Sequence, residues 1–114
     1  MINCAYSDVV EDNQQDARAS EREALQRSIQ QMQGSNSSLA DRQERMRAIN
    51  YTIRVWNYFL NDLASSENQS TNETKATLIS IGIFILRHLD NMRKDDSLQF
   101  DVVLEISETI IEGM

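Results

Sequence analysis

Residues 76–89 read ATLISIGIFILRHL, a dense apolar run in a chain that is otherwise polar and acidic. Three readings compete: a membrane segment, a buried core helix, or a surface kept for a partner. The apolar heart of the run, residues 81–86, is far too short to span a bilayer, which takes about 20 residues. Lys75, Arg87, Asp90, Arg93 and Lys94 bracket it with charge. As a helix, it places Leu78, Ile79, Ile81, Ile83, Phe84, Ile85, Leu86, Leu89 and Met92 around nearly the whole circumference. A helix apolar all round is buried on most sides. The run therefore predicts a helix over residues 71–94 at the centre of a bundle. Gly82 sits inside it, where glycine costs about 1 kcal/mol against alanine. It points to a close helix crossing, or to a groove floor where a partner helix nears the backbone.

Working outward, residues 39–64 carry Leu39, Met46, Ile49, Ile53, Trp56, Leu60 and Leu63 at threes, fours and sevens. That spacing predicts a second helix packing side by side with its neighbours. Tyr51, Val55, Tyr58 and Phe59 widen its apolar face beyond what a two-helix seam needs. A first helix is predicted over residues 16–33, with Leu25, Ile29 and Met32 on one face, extended by Ala17; Ser20 followed by Glu23 offers a capping box, with an earlier helix start as the alternative. Gly34 opens GSNSS (34–38) as a natural C-terminal cap. Residues 1–15 have no clear period; Ile2, Tyr6, Val9 and Val10 suit a surface-packing or short helical lead-in. Ser70 with Glu73 repeats the capping-box pattern before the third helix. KDDS (94–97) is a short turn, with Ser97 as N-cap of a fourth helix over residues 98–112. There Leu98, Val102, Ile106 and Ile110 form one stripe, joined by Val103 and Ile111. Asp101, Glu105, Glu108 and Glu112 form the opposite, solvated stripe. The prediction is a single all-α domain over 1–114, a small four-helix bundle with short loops and the third helix central.

Composition agrees. The chain has 114 residues, no proline and three glycines, which favours long helices. A net charge of −7 repels phosphates and acidic membrane surfaces, so direct nucleic-acid binding is not expected; membrane insertion is not expected because the apolar run is too short. The single cysteine, Cys4, excludes an internal disulfide, and acids stand where a signal peptide would be apolar. Four Asn-x-Ser/Thr triplets start at Asn36, Asn50, Asn68 and Asn72; without a secretory signal they read as chance.

Catalysis has little to stand on. His88 has no nucleophile or second catalytic group at a telling spacing, and reads as a helix-surface or helix-end histidine. Cys4 has no basic neighbours to activate it. Neither a Glu-x-x-His pair nor a calcium-loop pattern is present, so no metal and no cofactor is expected. Arg42, Arg45, Arg47 and Arg54 cluster; the plain reading is a solvated face paired with Asp41 and Glu44.

AYSDVVEDNQQDARASEREAL (5–25), VW (55–56), LNDLASSEN (60–68) and LISIGIFIL (78–86) resemble the FlaF family in order and spacing, over nearly the entire chain. Members are flagellar biosynthesis regulators of alphaproteobacteria. The resemblance implies a cytoplasmic factor for making and exporting flagellin, a chaperone-type partner discussed beside FlbT, which opposes it. Asp16, Arg18 and Glu21 match the family pattern and would fix the first helix. Two departures stand out: Ser66 where the family often has proline, and an unusually polar loop SSENQSTNE (65–73).

The expected function is to bind flagellin as a secretion chaperone, shielding an amphipathic terminal helix, with FlbT or the export apparatus as further partners. A groove would take that helix through anchors a turn apart. The candidate anchors are Tyr51, Val55, Tyr58 and Phe59, facing Ile79, Ile83 and Leu86; Phe84 is a candidate for the core. One alternative is a post-transcriptional regulator acting on flagellin mRNA, through the arginine cluster or through FlbT. Another is a self-associating bundle whose spare apolar surface is a dimer interface.

Overall fold

The computed structural model describes residues 2–35, 41–65, 68 and 70–113, with side chains from Ala19 onward. The expectations for Leu39, for Ser66, and for the side chains of Cys4, Asp16, Arg18 and the residue 1–15 lead-in lie outside the described residues. Four helices follow one another: α1 (Ile2–Ser35), α2 (Arg42–Ala64), α3 (Asn72–Lys94) and α4 (Asp101–Glu112). The fold is a small all-α four-helix bundle with short links. Its longest dimension, 58 Å, is close to the roughly 51 Å that a helix the length of α1 spans.

Helix α1 begins well before the predicted start. Ser20 therefore sits inside a helix and cannot cap one. Residues 2–15 hold no proline and no glycine to break the helix, and Ala5, Glu11, Gln14 and Gln15 among them are good helix formers, so it runs through a stretch with no apolar period. Gly34 does not act as a left-handed cap either: α1 runs on to Ser35, and no described glycine has positive φ.

The caps of α2 and α3 are built from side chains. Asp41 caps α2, its Oδ1 accepting from the Glu44 amide at 2.7 Å. Thr71, rather than Ser70, caps α3, its hydroxyl accepting from the Thr74 amide at 3.1 Å. Between α2 and α3, the polar loop makes its own bonds: Asn68 Nδ2 donates to Asp62 Oδ2 and Asn68 Oδ1 accepts from the Ser70 amide. Ser97 does not cap α4. Its amide and hydroxyl both donate to Asp95 Oδ1, at 2.9 and 2.6 Å, closing an Asx turn, and α4 starts at Asp101 with no side-chain cap.

Helix α3 is not central: α1 and α2 are the inner pair, α2 carrying α3 on its other side and α1 carrying α4. The physical reason lies in the two apolar flanks of α2, each of which finds a neighbour. On α3, only Gly82, Ile85, Leu89 and Met92 are buried, and its outer side stays open. The core gathers Leu25 and Met32 from α1, Ala48, Ile49, Val55 and Trp56 from α2, Ile85, Leu89 and Met92 from α3, and Phe100 and Val103. Each large side chain so enclosed contributes about 1.5–3 kcal/mol. Glu21 is also buried, on the Leu25–Met32 face. On α4, the fully enclosed positions are Val103 and Ser107, with Phe100 just ahead. The predicted stripe of Leu98, Val102, Ile106 and Ile110 flanks that line and is half-buried, as is Ile111. The acidic stripe is exposed at all four positions.

Candidate functional site

The α2–α3 pairing decides where the candidate anchors fall. Two contacts fix it. A Cβ added to Gly82 would lie 2.7 Å from Leu60 Cδ2, so Gly82 marks a close crossing of the two helices. Arg93 Nη2 donates to Asn50 Oδ1 at 2.7 Å. The helices run antiparallel: Asn50, Ile53, Asn57 and Leu60 form the α2 stripe toward α3, and Gly82, Leu86, Leu89 and Arg93 form the α3 stripe toward α2.

Successive helical residues turn by about 100°, so Tyr51 and Tyr58 lie roughly 180–200° around α2 from Leu60. They occupy the flank away from α3. Tyr58 is 53% exposed there, and the Arg54 guanidinium stands 5.7 Å from the centre of the Tyr51 ring. Val55 is enclosed in the core, and Phe59 is half-buried against Trp56 with ring centres 5.7 Å apart. The structure therefore does not bring the seven anchors into one groove. Ile79, Ile83 and Leu86 stay together along one side of α3, Ile83 exposed and the other two half-buried, apart from Tyr51 and Tyr58 on the far flank of α2.

Phe84, assigned to the core as one option, is 50% exposed. It lies two residues, about 200°, from Gly82 and so faces away from α2. Its ring stacks on His88 at 6.4 Å between centres. Ile83, 43% exposed, is its neighbour on the open side of α3. Among the described residues, Tyr58, Ile83 and Phe84 are the large apolar side chains most open to solvent, and two of the three share this side.

The arginine cluster is put to structural use. Arg45 donates through Nη1 to the Leu98 carbonyl at 2.9 Å and through Nη2 to the Met92 and Asp95 carbonyls at 3.1 Å each. Its guanidinium also sits 5.9 Å from the centre of the Phe100 ring. It thereby satisfies orphan carbonyls at the end of α3 and ties the α3–α4 link to α2. The expected pairing with Asp41 and Glu44 is not what it makes. Arg42, Arg47 and Arg54 are exposed. His88 is half-buried and its Nε2 donates to the Gln99 carbonyl at 2.9 Å, a second tie on the same link. Sequence reasoning named Arg45 but missed its role, and missed Phe100 altogether, because their partners are distant in the chain. A guanidinium has no acceptor written beside it, and Phe100 precedes the helical period.

Asp95 is held below its ordinary 3.8 by the Ser97 hydroxyl, then by the Ser97 amide, with a smaller push from the Arg45 charge. Among the described residues, no three His, Cys, Asp or Glu side chains converge in a way that could hold a metal ion. Among them, too, no helix is long and apolar enough to cross a membrane.

No curated protein and no solved structure matches the chain. A family model described as flagellar protein FlaF matches residues 3–114, in agreement with the ordered stretches quoted above. The chain belongs to the FlaF family of flagellar proteins.

Proposed function

We propose that this protein is a cytoplasmic, non-catalytic binding protein that shields an amphipathic flagellin helix and so promotes flagellin synthesis and export. The observation that carries the reading is the open side of α3. Ile83 and Phe84 stand about half in water, with Ile79 and Leu86 half-buried beside them, in a protein of a flagellar family. A helix that packs on only one neighbour keeps an apolar flank for another, and Ile79 and Ile83 stand four residues apart on it, the spacing that meets a partner helix, with Leu86 at the edge toward α2. The client helix lies along α3 against these residues and Phe84. Tyr58, on the other flank of α2, is outside that contact. Partial exposure of large apolar groups is worth covering at about 25 cal/mol per Å². FlbT and the export apparatus are further partners in this reading.

Calorimetric titration with purified flagellin tests it. Micromolar binding is expected, weakened at least tenfold (about 1.4 kcal/mol) by Ile83→Glu with Phe84→Glu. Those side chains are exposed, so the fold should survive the change. Absence of heat and of co-elution at micromolar concentration would remove the proposal. A stable dimer that persists in excess flagellin would instead assign the open side of α3 to self-association.

A further inference from the structure

On the α1–α4 side of the molecule, the two helices border an open groove of ≈470 Å³. Gln26, Ile29 and Gln30 line it from α1, and Glu108, Ile111 and Glu112 from α4. Ile29 and Ile111 are half-buried and pack against the core, so they form a fixed apolar floor. The α4 rim is anionic. Glu108 and Glu112 continue a stripe with Asp101 and Glu105, all four exposed. Among the described residues, Glu105, Glu108 and Glu112 have no cationic partner. Glu108 takes only a neutral bond, from Gln33 Nε2 at 3.3 Å. The cation nearest in sequence on α1, Arg27, is already paired with Glu23.

Like charges stacked a turn apart repel one another, and among the described residues no cation pairs with Glu105, Glu108 or Glu112 to relieve them. An apolar floor beside such a rim is complementary to one chemistry. We propose that the α1–α4 groove docks a basic amphipathic helix of another protein. An aliphatic side chain of that helix sits on Ile29 and Ile111, and lysines or arginines a turn to either side meet Glu108 and Glu112. The net charge of −7 adds steering toward such a cation. This partner is distinct from the client of α3, and the two surfaces can be occupied together.

The probe is a fluorescent leucine–lysine peptide about 18 residues long, with leucines at helical spacing, beside its scrambled isomer of equal charge. Binding is followed by anisotropy at low and at physiological salt. The full-length protein is compared with Glu108→Lys plus Glu112→Lys, and with a charge-matched control, Glu73→Lys plus Asp96→Lys, away from the groove. The amphipathic peptide is expected to bind at least tenfold tighter than its isomer. The groove variant should weaken it about tenfold at low salt, and the control less than about twofold. Equal loss in both variants would reduce the effect to overall acidity and overturn the proposal. Equal binding of the two peptides, or none by either, would do the same. Flagellin titrated into the groove variant should bind as before, so failure here leaves the α3 reading standing.

Discussion

Replacing Gly82 by alanine separates two opposing effects. Helix propensity alone favours alanine by about 1 kcal/mol. Against this, the new Cβ meets Leu60 at 2.7 Å to Cδ2, 3.2 Å to Cγ and 3.3 Å to Cδ1. Carbon pairs rest at about 3.5–4.0 Å. Leu60 can turn its Cδ2 aside, but relieving Cγ takes a change of χ1 rotamer or a lift of α3 away from α2. Overpacking of this kind costs about 1–3 kcal/mol. Gly82→Ala should therefore range from neutral to about 2 kcal/mol destabilising. In a Leu60→Ala background the obstacle is gone, and the same change should stabilise by about 1 kcal/mol. Urea unfolding followed by Trp56, the only tryptophan and a core residue, gives both values and their coupling. A stabilisation of about 1 kcal/mol in both backgrounds would refute the close crossing and, with it, the assignment of faces on α2 and α3.

Arg45→Met removes three hydrogen bonds to carbonyls and the contact with Phe100; unfolding in urea should show a loss of about 2 kcal/mol. Arg45→Lys should recover less than half, since one ammonium cannot span the three acceptors. Ser107 has a fully buried hydroxyl without a hydrogen-bond partner among the described residues, so Ser107→Ala should raise stability by about 1 kcal/mol in the same assay. Folding holds the Asp95 carboxyl below its ordinary value, so its contribution is present above about pH 4 and fades as the pH falls through the lower folded value. Accordingly, the stability difference between the wild type and Asp95→Asn should shrink in acid titration below that point.

The four helices were legible because apolar residues recur at threes and fours and no proline interrupts them. Their ends were less so. Ser20, Ser70 and Ser97 all carry cap-like patterns, yet one lies mid-helix, one yields to Thr71 and one is used by Asp95. Several residues compete for each orphan amide, and only geometry chooses. The wheel showed that α2 is broadly apolar but not which flank meets which neighbour. A single contact, Leu60 on Gly82, sends Tyr51 and Tyr58 to the far side. On α3, apolar residues all round suggested burial, whereas the bundle supplies one neighbour and leaves Ile83 and Phe84 in water. Arg45 and Phe100 depend on partners roughly fifty residues apart, a distance at which sequence periodicity carries no information.

The most direct test of the α3 reading places a photoreactive benzoylphenylalanine at Phe84, at Tyr58 and at Glu105 in turn, and irradiates each protein with full-length flagellin. Efficient crosslinks from position 84, confined to one end of flagellin, with little from 58 or 105, are the predicted result. Crosslinks that favour position 58 or 105, or a yield at 84 no better than theirs, would contradict it.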